Sequence, residues 1–289
     1  MSRLTRDQFR FFHRLRVRWA EVDMQKIVFN AHYLMYFDTA MSDYWRALAL
    51  PYEAAMQSLG GDLYVVRSTL EYHASARADE QLDVALKCSR IGTSSLVFHG
   101  AIFRGDQHLI SAEIVYVFAD PATQCSRPVP EALRAAMSGY EAGEDMLRLQ
   151  LGDWAGLGAQ ASALRNEVFV EEQRIPLALE LDAADAGAVH VLAHNRLGQA
   201  VATGRLLRGD APGLGRIGRL AVRRDLRGGG LGQRVLGALM DAARDRGDQA
   251  VELHAQRSAL GFYARLGFEA QGAPYEEAGI AHQSMLKRL

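Results

Sequence analysis

Two short stretches of the chain bring together residues able to do chemistry. In the first, Arg18-Trp19-Ala20-Glu21-Val22-Asp23 leads through Met24 to Phe29 into Asn30-Ala31-His32-Tyr33-Leu34, so an acid at a strand exit precedes a helix start by seven residues. The unpaired N–H groups of a first helical turn, aimed by the helix dipole, can hold the oxygen of a polarised thioester carbonyl and keep a nearby carboxylate ionised. Asp23 could then attack the carbonyl or activate water, and one well-placed oxyanion donor is worth roughly 3 to 4 kcal/mol in the transition state. The plainer reading has Asp23 starting a turn and Asn30 capping the helix. His32 could form a dyad with the acid or hydrogen-bond a neighbouring strand, and Asp38 is either a second acid or a solvated or Arg-paired one.

The second stretch runs from Arg216 to Gly232 as a strand, a charged turn and Arg227-Gly228-Gly229-Gly230-Leu231-Gly232. Successive glycines there let backbone N–H groups close around a pyrophosphate at the positive end of a helix expected over Gln233 to Arg246. A dinucleotide fingerprint would need strand, glycines and a ribose-binding acid about twenty residues on, and Arg227 stands where that loop would not want it.

These residues need elements to position them. In the first half, period-two alternation predicts strands at Phe11 to Ala20, Leu63 to His73, Gln81 to Ile91, Ser95 to Arg104 and His108 to Ala119. Links as short as Gly105-Asp106-Gln107 predict an antiparallel meander. One helix is expected from Ala31 to Ala49, with Leu34, Phe37, Met41, Tyr44, Trp45 and Leu48 on its apolar face, Asn30 as N-cap and Pro51 ending it. Prolines 121, 128 and 130 and a short helical stretch, Glu131 to Tyr140, break the pattern. A domain boundary is placed there, giving residues 1–143 and 147–289. The second half reads as strand, helix, strand, strand, helix, strand, helix, with its first helix at Ala159 to Glu172, a mixed α/β domain.

With 33 basic and 34 acidic side chains in 289 residues, the charge balance argues against nucleic acid as a partner. Met1 to Arg18 lacks the apolar centre of a signal peptide, and no apolar run reaches membrane-spanning length, so a cytoplasmic protein is expected. Cys88 and Cys125 have neither metal nor disulfide spacing and are expected as reduced thiols, with no metal required.

The Asp23 segment resembles the active-site signature of hotdog-fold thioesterases of the 4-hydroxybenzoyl-CoA thioesterase type, over roughly residues 9 to 140. The resemblance implies an α+β hotdog domain, an antiparallel sheet around one long helix. It also implies Asp23 as nucleophile or general base, the Asn30 backbone N–H at the oxyanion site, and Thr93 and Ser95 near the thioester or pantetheine arm. Lys26 stands where glycine is common in that family, and Asn30 and His32 are exchanged relative to its His-x-Asn order. Sites in the family are completed across a two-fold interface, which implies a homodimer or homotetramer with Asp23 facing Thr93 or Ser95 of the other subunit.

From about residue 147 the chain resembles the GNAT acyltransferases, through Arg227, Gly230 and Gly232 in the spacing Arg-x-x-Gly-x-Gly, Leu220-Ala221-Val222 before it, and Gly261 to Phe268 after it. This implies coenzyme A thioesters as substrates, pantetheine on the backbone of Leu220, Ala221 and Val222, pyrophosphate on residues 227 to 232, and Tyr263 protonating the departing thiolate. An amine accepts the acyl group, with contacts from Leu164 to Gln173. The strand from Arg216 to Val222 lacks the glutamate many relatives use as base, leaving Glu252, His254, His190 and Glu172 as candidates. A bifunctional acyl-CoA hydrolase and N-acetyltransferase follows. The alternative is one catalytic half joined to an acyl-CoA-sensing or dimerisation module.

Overall fold

The computed structural model describes residues 4–277 and 279–289. The chain forms two compact units, the first ending at Met146 and the second beginning at Leu147.

In the first unit, β1 (Phe11–Arg16) is followed by α1 (Asn30–Ala47), α2 (Tyr52–Leu59), β2 (Asp62–Tyr72), β3 (Gln81–Ile91), β4 (Ser95–Arg104), β5 (Gln107–Ala119) and α3 (Glu131–Glu141). The strands make one antiparallel sheet in the order β1-β3-β4-β5-β2. Helix α1 lies on it by burying Tyr33, Tyr36, Phe37, Ala40, Met41, Tyr44 and Trp45, the stripe that helical periodicity places on one face. Close approach needs Gly100 on β4, where a Cβ would fall 2.5 Å from the Phe37 ring. Helix α3 is tied back by Glu141, whose Oε1 accepts from the Tyr44 hydroxyl at 2.6 Å and the Cys88 N–H at 2.8 Å. Cys88 is a buried free thiol that burial pushes up to about 12.

Several expectations change here. The first strand stops at Arg16, and Trp19–Glu21 is a 3₁₀ turn. Asn30 is not the N-cap: it is already helical, and Phe29 precedes the helix in extended backbone, its N–H fixed to the Glu21 carbonyl at 2.9 Å. Leu34 turns to solvent. Pro51 does more than end a helix: it is the extended residue just before the next one, α2, and its carbonyl accepts from the Ala55 N–H at 2.8 Å.

The second unit runs β6 (Leu147–Gly152), α4 (Trp154–Arg165), α5 (Leu177–Glu180), β7 (Val189–Asn195), β8 (Ala200–Arg208), β9 (Leu214–Val222), α6 (Leu231–Asp245), β10 (Ala250–Gln256), α7 (Leu260–Arg265), β11 (Glu269–Glu277) and β12 (Ile280–Arg288). Its seven-stranded sheet, ordered β11-β12-β10-β9-β8-β7-β6, is antiparallel except where β9 runs parallel to β10. Helix α6 packs Val235, Leu236, Leu239 and Ala243 on one face of the sheet.

The helix expected from Ala159 begins earlier, at Trp154, where Asp153 caps it by accepting from the Gly156 N–H at 2.9 Å. Its latter part, Asn166–Glu172, is wound as a π-helix. The sequence reading placed two strands between its first two helices where the structure has three, β7, β8 and β9, and it had no counterpart to β11 and β12. Among the described residues no helix is long and apolar enough to cross a membrane.

Candidate functional site

Asp23 sits at the neck of a loop that the sequence closes on itself. Val22 and Val28 form a bridge, the Glu21 carbonyl accepts from Phe29, and the Asp23 N–H donates to the Ile27 carbonyl at 2.9 Å. The turn is completed by the Lys26 N–H bonded to the Asp23 carbonyl, with Lys26 at φ 61. A glycine would take that left-handed conformation at lower cost, by roughly 1 to 2 kcal/mol. The Asp23 carboxylate is half-buried and accepts from the Gln25 N–H through Oδ1 at 2.8 Å, which leaves Oδ2 for another partner.

At the start of α1, the N–H groups of Asn30 and Ala31 donate to no protein group among the described residues, as expected for a first turn. The Asn30 carbonyl receives the Tyr72 hydroxyl at 3.4 Å. No hydrogen bond within the chain joins Asp23 to Thr93, Ser95, His32 or Asp38 among the described residues. Thr93 and Ser95 flank the β3–β4 turn, where the Thr93 carbonyl accepts from Val129 and the Ser95 carbonyl from Gly92, both at 2.7 Å.

Sequence reasoning missed Glu21. This carboxylate is 4 % exposed and accepts from the Tyr36 hydroxyl at 2.7 Å, the Arg18 N–H at 2.8 Å and Arg18 Nε at 2.7 Å. Burial alone would raise its pKa, but the bonds from Tyr36 and Arg18 outweigh it and hold Glu21 below the ordinary glutamate range. The same contact and burial push the Tyr36 phenol far up. Glu21 thus anchors the entry to the Asp23 loop on α1.

Around this loop Trp19 (82 % exposed), Met24, Phe29, Leu34 and Met35 stand in solvent, as do Tyr64, Val65 and Val66 on the edge strand β2.

In the second unit the site is built where two strands part. β9 pairs with β8 as far as Val222 but with β10 only to the pair Leu253 and Ile217. Beyond that point one side of β9 lacks a strand partner. A bulge lies there: Arg219 and Leu220 oppose Gly204 alone, with Arg219 at φ 52. The extra residue returns Leu220 to the α6 side and turns Ala221 onto Leu164, Val168 and Phe169.

The glycine loop follows. Gly228 and Gly230 have φ of 87 and 82, and Gly230 is the residue before α6. From Gly228 to Gln233 the backbone N–H groups donate to no protein group among the described residues. Gly232 faces the Phe262 ring, so that an added Cβ would be 3.5 Å from it. Arg227 is committed elsewhere: its Nε donates to the Val222 carbonyl at 3.0 Å and its two Nη atoms to Glu172 at 2.6 and 2.7 Å.

These parts open on one cleft of about 980 Å³. Of the residues expected there, Leu220, Ala221, Val222, Arg227, Gly228, Gly230, Leu231, Gly232 and Tyr263 line it. Gly229 is exposed beside them in the loop. Tyr263 packs against Phe262 and Phe268, and burial pushes its phenol up to about 12.

The four base candidates separate. His190 is buried, its Nε2 on the Asp185 carbonyl at 2.9 Å and its ring on Trp154. Glu252 binds Arg216 at 2.7 Å, and Glu172 binds Arg227. Only His254 of the four lines the cleft; it is the first β10 residue past the last pair with β9, and its Nδ1 is 3.6 Å from Glu277 Oε2.

From the segment expected to meet an acceptor, Val168, Phe169 and Gln173 reach the cleft. Arg165 is drawn instead into a buried charge network, bonded to Glu180 and, at 2.9 and 3.0 Å, to Asp185. Glu277 and His282 on the last hairpin also line the cleft. They were missed because the hairpin itself was. Among the described residues no group of three or more His, Cys, Asp or Glu side chains is placed to hold a metal ion.

Comparison with known proteins gives a separate result for each half. Residues 25–111 match the thioesterase superfamily and residues 157–289 the acetyltransferase (GNAT) domain family. An uncharacterized N-acetyltransferase of Bacillus subtilis, YjcF, is 33 % identical over 125 residues, 43 % of this chain and 87 % of that protein. Among solved structures, an acyl-CoA N-acyltransferase from Pseudomonas aeruginosa is 34 % identical, with a TM-score of 0.44, over 49 % of this chain and 99 % of its own. A 1,4-dihydroxy-2-naphthoyl-CoA thioesterase from Synechocystis is 19 % identical, with a TM-score of 0.41, over 44 % and 95 %.

Proposed function

The second half of the chain belongs to the GNAT acetyltransferases and the first half carries a thioesterase-superfamily hotdog domain, and from that premise we propose a bifunctional enzyme acting on coenzyme A thioesters. The observation that carries the proposal is the arc of unpaired N–H groups from Gly228 to Gln233 opening on the cleft that Tyr263 and His254 share. Such an arc at a helix N-terminus suits the pyrophosphate of coenzyme A, and the unpartnered side of β9 at Leu220 to Val222 suits the amides of its pantetheine arm. Acetyl-CoA is then laid with its thioester near the parting of β9 and β10.

There the amine nitrogen attacks the thioester carbonyl carbon, the C–S bond breaks, and His254 takes the amine proton. Tyr263 faces the leaving sulfur. Burial keeps its phenol protonated, with the pKa pushed up to about 12, so Tyr263 is placed to donate to the thiolate as it departs.

For the first unit we infer hydrolysis of an acyl-CoA. Asp23, with Oδ2 unspent, attacks the thioester or activates water, and the Asn30 N–H receives the developing oxyanion. The solvent-facing apolar residues around the loop and on β2 support a homodimer formed through this unit, with Thr93 and Ser95 of the partner subunit completing the site.

The test is thiol release by the full chain from acetyl-CoA and from longer and aromatic acyl-CoA esters, with and without a primary amine. Amine-independent release reports hydrolysis, and the amine-dependent increment with formation of an amide reports transfer. A chain that binds acyl-CoA but shows only one of these has a sensing or assembly module in the other half. A chain that shows neither refutes the proposal.

A further inference from the structure

We propose that the acceptor of the second unit is a primary amine with an apolar body, its ammonium held by Glu277; this rests on reading the cleft as that of an acyltransferase. Apolar residues lining the cleft include Val168, Phe169, Ile175 and Leu179, and Ile280, which pairs with Glu277 across the last hairpin. Leu179 is 55 % exposed although apolar. A ligand covering this wall gains from apolar contact.

The charges lining the cleft decide which ligand it is. Glu180 and Arg219 both line the cleft, but they pair with each other at 3.0 Å, and each is further matched, Glu180 by Arg165 and Arg219 by Asp182 at 3.1 Å. Neither has charge to spare. Glu277 differs: its side chain is 56 % exposed, and its ion-pair contact is with an imidazole, His254, at 3.6 Å. No lysine or arginine pairs with it among the described residues. Of the remaining cleft arginines, Arg227 is held by Glu172, and Arg265, at the end of α7, makes no ion pair with Glu277.

One unmatched carboxylate beside an apolar wall suits one ammonium on an apolar frame. An α-amino acid would bring its carboxylate close to its ammonium and so beside Glu277, a like charge that no lysine or arginine pairs with among the described residues. A polyamine would bring two or three ammonium groups to a single acid. Glu277 also adjoins His254, so an ammonium bound there is close to the group that takes its proton.

The experiment uses the full chain with saturating acetyl-CoA and four amines: phenethylamine, hexylamine, glycine and spermidine. The two apolar amines should exceed glycine and spermidine in kcat/KM by about tenfold or more, as expected for a lost or mismatched charge-assisted contact. Glu277→Gln should raise KM for phenethylamine by about threefold to fivefold, the range of an exposed charge pair, and leave KM for acetyl-CoA within about twofold, while Glu277→Asp restores part of the loss. A preference for glycine or spermidine, or an unchanged phenethylamine KM in the Gln variant, overturns the inference. Turnover and calorimetry separate the two failures. If acetyl-CoA binds and glycine or spermidine is acetylated but no apolar amine is, only the acceptor class is wrong, whereas acetylation of none of the four amines, or no acetyl-CoA binding, would sink the acyltransferase reading itself.

Discussion

Arg227 and Glu172 meet in a two-bond ion pair, Nη1 to Oε1 at 2.6 Å and Nη2 to Oε2 at 2.7 Å, that fastens the glycine loop to the end of the π-helical segment. The guanidinium donors hold the Glu172 carboxyl below its ordinary range despite partial burial. The pair is partly exposed, so its worth is at most about 1 kcal/mol. Glu172→Gln should therefore raise KM for acetyl-CoA by up to about fivefold, with kcat nearly unchanged in steady-state acetyl transfer.

The loop itself allows a sharper contrast. A Cβ at Gly230 meets nothing within 4 Å, so Gly230→Ala suffers only the left-handed backbone, roughly 1 to 2 kcal/mol. Gly230→Glu adds a carboxylate beside the unpaired N–H groups. Calorimetry should find coenzyme A binding weakened in the first variant and lost in the second, at similar thermal stability. Retained binding in the Glu variant would refute the loop reading.

Asp23→Asn keeps the Oδ1 acceptor for the Gln25 N–H, so its turn should persist. Amine-independent thiol release should fall by about 10² to 10⁴-fold, the usual loss with a catalytic acid–base group. Acetyl transfer by the same protein should not change, and unchanged hydrolysis would dismiss Asp23.

Tyr263→Phe should slow acetyl transfer by about tenfold to a hundredfold, the loss of one hydrogen bond to a charged group. Since burial puts this phenol at about 12, it does not ionise between pH 8 and 10. Rate profiles of the two proteins should run parallel across that interval, and a limb missing only from the Phe variant would contradict this placement.

Glu21 links acidity to the stability of the first unit. Its folded pKa lies below the unfolded value near 4, so its contribution is complete above that value and disappears as pH falls through the folded one. Glu21→Gln should cost about 1 to 3 kcal/mol at pH 7, for bonds lost to a buried carboxylate. Denaturant unfolding should show the gap closing below about pH 4.

The sheet of the first unit and the helix across it were legible because alternation and helical spacing record which face is buried. The glycine loop was legible because few residues other than glycine take φ near 85 twice within three positions. What stayed hidden depends on tertiary partners. Glu21 reads as one more surface acid until Tyr36, fifteen residues on, is folded against it. The hairpin of β11 and β12 is mostly exposed on its first strand, Glu269 to Glu277, so no alternation betrays it. With the hairpin went Glu277. The base candidates could be sorted only by seeing Arg216 and Arg227 take two of them out of play.

The two edges of the first sheet differ in character. β1 ends the sheet with His13, Arg14 and Arg16, whereas β2 ends it with Tyr64, Val65 and Val66, the last at 60 % exposure. Charged side chains discourage an incoming strand and apolar ones invite it. An inviting edge does not discriminate between a correct neighbour and a misfolded one. Until that edge is covered, any extended strand that reaches it can add to the sheet.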